Sequence, residues 1–141
     1  MDQTDFELWF SEAQNDFDVG TILIKEKKYS AASFHFVQAA EKAVKALLFL
    51  SEQHPWGHSI LKLLEAYENL GKNVSIQIKK AGNMLDPHYI NSRYPDALPN
   101  HSPKEYYTEK IVRELKEAAQ NILDFVKEEK EAMNSNGNSK K

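Results

Sequence analysis

The chain has no cysteine, which excludes disulfides, thiolate metal sites and a thiol nucleophile. That absence fits a reducing cytosol. An excess of positive charge is missing too. The formal net charge is −3, so any recognition of phosphate has to come from a local cluster and not from the protein's overall field. Arginine is scarce: Arg93 and Arg113 are the only two. No apolar run approaches the roughly 18–20 residues of a membrane span. The start, MDQTDFELWF, has neither the basic opening nor the small-residue cleavage site of a signal peptide. A soluble cytoplasmic protein with no membrane association is expected. No stretch alternates long enough to make a strand, and no internal repeat is evident.

What remains is an ordinary globular composition over 141 residues: 41% hydrophobic, 28% charged and 11% aromatic. It predicts one domain able to bury a sizeable core. Thr4-Asp5-Phe6-Glu7 has the form of a capping box. After it Phe6, Trp9, Phe10, Ala13, Phe17, Gly20, Leu23 and Ile24 line one face of a long helix ending near Lys25 to Lys28. A second helix starts near Ser30, with Phe34, Val37, Ala40, Val44, Leu47 and Leu48 as its stripe. Alanines on its flanks predict a central position. It has to stop before His54-Pro55. A third helix spans Ser59 to Leu70 and ends at Gly71; a fourth spans Val74 to Leu85 and is weakened by Gly82. Ser102-Pro103-Lys104-Glu105 forms a second capping box, opening a last helix that runs to about Glu131. The fold class is therefore all-α, an up-and-down helical bundle of four to five helices over residues 1–131. A disordered polar tail is expected over 132–141.

Between the fourth and last helices lies DPHYINSRYPDALPNH, residues 86–101, where three prolines exclude a regular helix or a good strand. Two readings of Arg93-Tyr94-Pro95-Asp96 follow. In one, Asp96 caps or pairs with Arg93 and Tyr94 packs on the bundle. In the other, the Arg93 guanidinium grips phosphate in its bidentate fork while a tyrosine stacks on a base. His88 and His101 flank the bend, and histidine is a residue type that can serve as acid or base near neutral pH. Lys42 sits one turn from Lys45; Lys45 has Glu41 as its i, i+4 partner, which leaves Lys42 freer to face a cleft. No metal site is expected, because the His54 and His58 pair spans a Pro-Trp-Gly turn and not one helical face. Trp9 reads as core or interface, and Trp56, in that turn, as a possible contact surface.

Three stretches together resemble the HEPN family of small helical domains: AASFHFVQAAEKAVKALLF (residues 31–49), the His58 turn leading into a Leu-rich helix, and LDPHYINSRYPDA (residues 85–97). The resemblance covers nearly the whole chain except the tail. It implies an up-and-down bundle that commonly dimerises and needs no cofactor. Many family members resemble metal-independent ribonucleases with an Arg-x4-6-His motif, often toxins paired with a minimal nucleotidyltransferase antitoxin. Others are similar to nucleotide-binding dimers. In this chain seven residues separate Arg93 from His101, one beyond that motif, and no histidine follows Arg113. The resemblance therefore favours binding of a nucleotide or RNA phosphate, with Arg93, Tyr94, Asp96, His88, Tyr89 and Lys42 as candidate ligand contacts. A homodimer and a nucleotidyltransferase partner are implied. The alternative it leaves open is a ribonuclease toxin using Arg93 and His101.

Overall fold

The structure, a computed structural model, describes residues 3–139. The helices are α1 (Gln3–Lys25), α2 (Tyr29–Leu50), α3 (Ile60–Glu68), α4 (Ile76–Leu85), α5 (His88–Asn91), α6 (Pro103–Tyr106) and α7 (Glu109–Ser139). Helices α5 and α6 are single turns. The other five form the all-α up-and-down bundle that the periodicity predicts. Among the described residues there is no strand, only an isolated bridge between Leu98 and His101. No helix is long and apolar enough to cross a membrane, again among the described residues.

Helix α2 is central, packing against α1, α3 and α7 and against both single-turn helices. Its composition explains why. Ala32, Ala39, Ala40, Ala43 and Ala46 are fully buried, and such small side chains let neighbours approach from several directions. Phe36, Val37, Val44, Leu47 and Leu48 fill the space between. The stripe departs from expectation at one place: Phe36 enters the core, whereas Phe34 is only half-buried.

Helices α1 and α2 run antiparallel through a tight turn, with Trp9 against Phe49 at one end and Phe17 against Phe36 further along. Gly20 allows their closest approach, because a Cβ there would sit 2.7 Å from the Phe36 ring. Gly82, which weakened the expectation of a fourth helix, has the same role in α4: a Cβ would lie 3.0 Å from Leu64 and 3.2 Å from Ile60 of α3. Here a poor helix former is retained because two helices need to touch.

The ends of the helices follow capping chemistry more than proline. After α1, Lys27 is left-handed (φ 59°) and the Lys28 N–H donates to the Leu23 carbonyl. After α2, Glu52 is left-handed (φ 63°) and the Gln53 N–H donates to the Leu48 carbonyl. Both are Schellman closures, so α2 ends at Leu50, ahead of Pro55. Ser59 and Ser75 cap α3 and α4 through their hydroxyls. Helix α1 is already helical at Gln3, so Thr4 lies inside its first turn and not at the capping position.

The last helix needs correcting at both ends. The Glu105 carboxylate does accept from the Ser102 N–H (2.9 Å) and hydroxyl (3.0 Å), but this box opens only the single turn α6. Tyr107 then becomes extended and buries its ring, and Thr108 caps a new helix by accepting from the Ile111 N–H. At the far end α7 continues past Glu131 to Ser139, into the segment expected to be a tail, with Met133 packed against the core. Residues 140–141 lie outside the described part.

Candidate functional site

Residues 86–101 are held on the bundle by two anchors. The first is Asp86, the C-cap of α4. Its carboxylate accepts from the Ile60 N–H (2.6 Å), the Leu61 N–H (3.3 Å) and the Ser59 hydroxyl (2.8 Å). An anion at a helix N-terminus satisfies orphan amides and the dipole together, so α3 and α4 are clamped at one corner. The second anchor is His88, whose Nδ1 is hydrogen-bonded to the hydroxyl of buried Tyr107. Burial pushes the His88 pKa below its ordinary value and the Tyr107 pKa above its own.

The backbone between these anchors is not wholly irregular. Pro87 suits the start of a helix, and residues 88–91 make the single turn α5. Ser92 is buried and donates to the His88 carbonyl. This turn aims Tyr89 and Arg93 towards α2. The Arg93 Nε donates to the Tyr89 carbonyl (3.0 Å), and its guanidinium carbon lies 4.6 Å from the Phe34 ring, 4.5 Å from Tyr89 and 4.9 Å from Tyr94. Three aromatic faces thus hold one exposed cation. Asp96 is exposed, and among the described residues no carboxylate pairs with Arg93. The reading of an Arg93–Asp96 lock is not met. The reason is geometric: aromatic faces and a backbone carbonyl already hold the guanidinium.

Tyr89 is itself held from behind. Its ring stacks on His58 with centroids 4.2 Å apart and planes 17° from parallel, and its hydroxyl lies 3.1 Å from His58 Nε2. His58 Nδ1 lies 3.3 Å from both oxygens of Glu41, a side chain buried in the middle of α2. Glu41 also accepts from Lys45 Nζ at 3.0 Å, and Lys45 lies over the Trp9 ring. With Nδ1 donating to the carboxylate, a neutral His58 ring accepts the Tyr89 O–H at Nε2. A continuous path therefore runs from Lys45 and Glu41 through His58 and Tyr89 to Arg93.

The remaining candidates sit elsewhere. Lys42, expected to be free to face a cleft, donates instead to Asp16 of α1 at 2.8 Å, and the other Asp16 oxygen is 2.9 Å from His35 Nδ1. Asp16 is buried, so its charge needs both partners. His101 is exposed, bridges to Leu98 and follows the left-handed Asn100 (φ 63°). Among the described residues, no three His, Asp or Glu side chains gather as a metal cluster. Sequence reasoning missed Phe34 as part of the Arg93 setting and missed the Glu41–His58 link. Only the family resemblance pointed at these two stretches.

A helical bundle presenting an aromatic-held arginine from a proline-bounded turn defines the class, and the comparisons identify the family. The model of the HEPN domain matches residues 6–130, and the chain belongs to the HEPN domain family. It is similar to a crystal structure of a Thermus thermophilus protein (35% identical, TM-score 0.84, covering 89% of this chain and 98% of that one). It is also similar to an archaeal HEPN homologue (35% identical, TM-score 0.75, covering 88% and 96%). A candidate toxin of Methanocaldococcus jannaschii is 26% identical over 133 residues, covering 86% of this chain and 85% of that protein.

The His88–Tyr107 anchor has a pH signature. His88 resists protonation only in the folded state, so below about pH 6.5 the unfolded chain takes up this proton first. Stability is therefore fully present above that pH and falls as pH drops towards the depressed native value. Thermal unfolding midpoints recorded from about pH 7 to pH 5 should show a shallower decline for His88→Gln than for the wild type. Parallel declines would remove His88 from this account.

Proposed function

We propose that this HEPN domain binds a phosphate group of a nucleotide or RNA at Arg93. One observation carries the reading: the guanidinium is exposed, oriented by three rings and a backbone carbonyl, and free of any carboxylate among the described residues. Such a group has lost little of its donor capacity and much of its freedom. That combination suits a planar fork gripping a phosphate. Exposed Tyr94 stands beside it, Tyr89 is held between His58 and Arg93 with its edge towards the ligand, and His88 holds the backbone of the turn through Tyr107. Lys42 serves the α1–α2 junction through Asp16.

A second reading, a metal-independent ribonuclease with Arg93 and His101 as its working pair, is favoured by the candidate toxin among the relatives. It fits poorly with the seven-residue separation. Catalysis needs both side chains within hydrogen-bond reach of one phosphodiester, and a misplacement of about 1 Å costs roughly 10²-fold. Calorimetry with ATP is expected to give measurable binding to the wild type and much weaker binding to Arg93→Lys, because an ammonium cannot reproduce the paired contact. Labelled RNA incubated in EDTA should remain intact. Cleavage that disappears in both Arg93→Ala and His101→Ala would promote the ribonuclease reading, and equal ATP affinities would return Arg93 to a structural role.

The proposed setting is toxin-like, with a minimal nucleotidyltransferase as partner and a homodimer as the working assembly. Helix α1 leaves Leu8 and Ile22 exposed, an apolar surface for a second copy. Light scattering at micromolar concentration should report twice the chain mass, and a monomer mass would contradict the dimer. Co-purification of the two encoded proteins from one cell tests the partner; a nucleotidyltransferase that never co-elutes argues against it.

A further inference from the structure

We propose that the cleft beneath Trp56 holds an unpaired nucleobase whose strand carries its phosphate to Arg93, so that the ligand is single-stranded RNA. This rests on the phosphate reading of Arg93 and adds a second subsite to it. Trp56 is 87% exposed, the most exposed of the large apolar side chains among the described residues. Leaving an indole in water forfeits hydrophobic stabilisation, and here the loop that carries it is well fixed. Pro55 precedes it, Gly57 follows in a left-handed conformation (φ 92°), and Ser59 is tied to the Asp86 carboxylate. The exposure is therefore built into the fold and is not that of a loose loop.

The cleft has a volume of about 490 Å³. Leu48 and Leu63 give it an apolar floor, Trp56 a flat wall, His54 and His58 two imidazole rings and Lys62 one cation at the rim; no carboxylate lines it. That mixture suits a planar heteroaromatic group attached to a phosphate. The other large cleft, about 560 Å³, is lined by Glu68, Asp124 and Glu128, which would repel such a ligand. Position completes the case. His58 lines both the Trp56 cleft and the shallower one beside Tyr89, and the same His58 ring stacks on Tyr89, which also meets Arg93 and Phe34. The cleft and the phosphate site are thus joined by a short series of stacked groups. A strand following that series meets the open face of Trp56, the edges of His58 and Tyr89, and the cations Lys62 and Arg93. The Asp86 carboxylate in the cleft between is already engaged by Ser59, Ile60 and Leu61. Bases and phosphates can use such contacts regardless of sequence.

The test is fluorescence polarisation with a short labelled single-stranded oligoribonucleotide and with the same sequence as a duplex. Trp56→Ala is expected to weaken single-strand binding about tenfold or more, and Trp56→Phe to keep most of it. The duplex, whose bases are already paired, should bind more weakly than the single strand. In a Trp9→Phe background Trp56 is the only tryptophan, and its emission should be quenched when RNA is added. Circular dichroism of each variant establishes that the bundle is intact. If Arg93→Ala loses binding but Trp56→Ala matches the wild type, the cleft is not a base subsite, and an exposed Trp56 that receives a protein gives that result. If Arg93→Ala also matches the wild type, the phosphate reading fails with it.

Discussion

A carboxylate buried in the middle of a helix has to be neutralised, and the demand of Glu41 organises much of this molecule. Glu41 is 4% exposed and sits on the helix at the centre of the bundle. Lys45, one turn away, supplies the charge and His58, from the loop before α3, supplies the second bond. Removing one partner from a buried ion pair costs on the order of 3–5 kcal/mol, whereas the intact pair gives little net stability. The arrangement is better understood as setting geometry than as adding stability. It draws the 51–59 loop against α2 and so fixes where the His58 ring stands, and that ring is the surface on which Tyr89 stacks.

Arg93 gains from this chain of supports without being consumed by it. An ion pair with Asp96 would also have ordered the guanidinium, but it would have filled the fork and neutralised the charge. Cation–π contacts order it while leaving the charge in place, each worth roughly 0.5–1 kcal/mol at an exposed site. Phe34 on α2, Tyr89 on α5 and Tyr94 in the following turn come from three separate segments, so the position of Arg93 reports the packing of all three. Asp86, which the same stretch contributes, is spent on the N-terminus of α3 and not on Arg93. The segment is a lock through Asp86 and His88 and, in the proposed function, a binding surface through Arg93.

The periodicity of the sequence was enough for the bundle, because helical faces obey a local rule: the stripes of α1, α2, α3 and α7 and the capping box at Ser102 could be read within a few residues. Errors came where a distant residue decided. Thr4-Glu7 has the form of a cap but lies inside a helix. Ser102-Glu105 is a true cap whose helix lasts one turn, since His88 and the core draw Tyr107 out of it. Lys42 looked free because Asp16, its partner, belongs to another helix. The same limit hid the Glu41–His58–Tyr89 path, whose members are 17 and 31 residues apart. No period marks such pairs. Only the family resemblance brought the α2, His58 and Arg93 stretches together, and it did so without saying which atoms meet.

The central claim, that Arg93 is a cation pre-ordered by aromatic faces whose placement traces back to Glu41, can be measured directly by NMR of the arginine Nε–H groups. The chain has only Arg93 and Arg113, so two resonances are expected. In the wild type the Arg93 signal should be displaced by the ring currents of Phe34, Tyr89 and Tyr94 and protected from exchange by its bond to the Tyr89 carbonyl. In a folded Glu41→Leu variant that displacement should collapse and exchange should quicken, with Arg113 unchanged. An Arg93 signal that already has the shift and exchange rate of a free arginine in the wild type, or that ignores the loss of Glu41, would contradict the account.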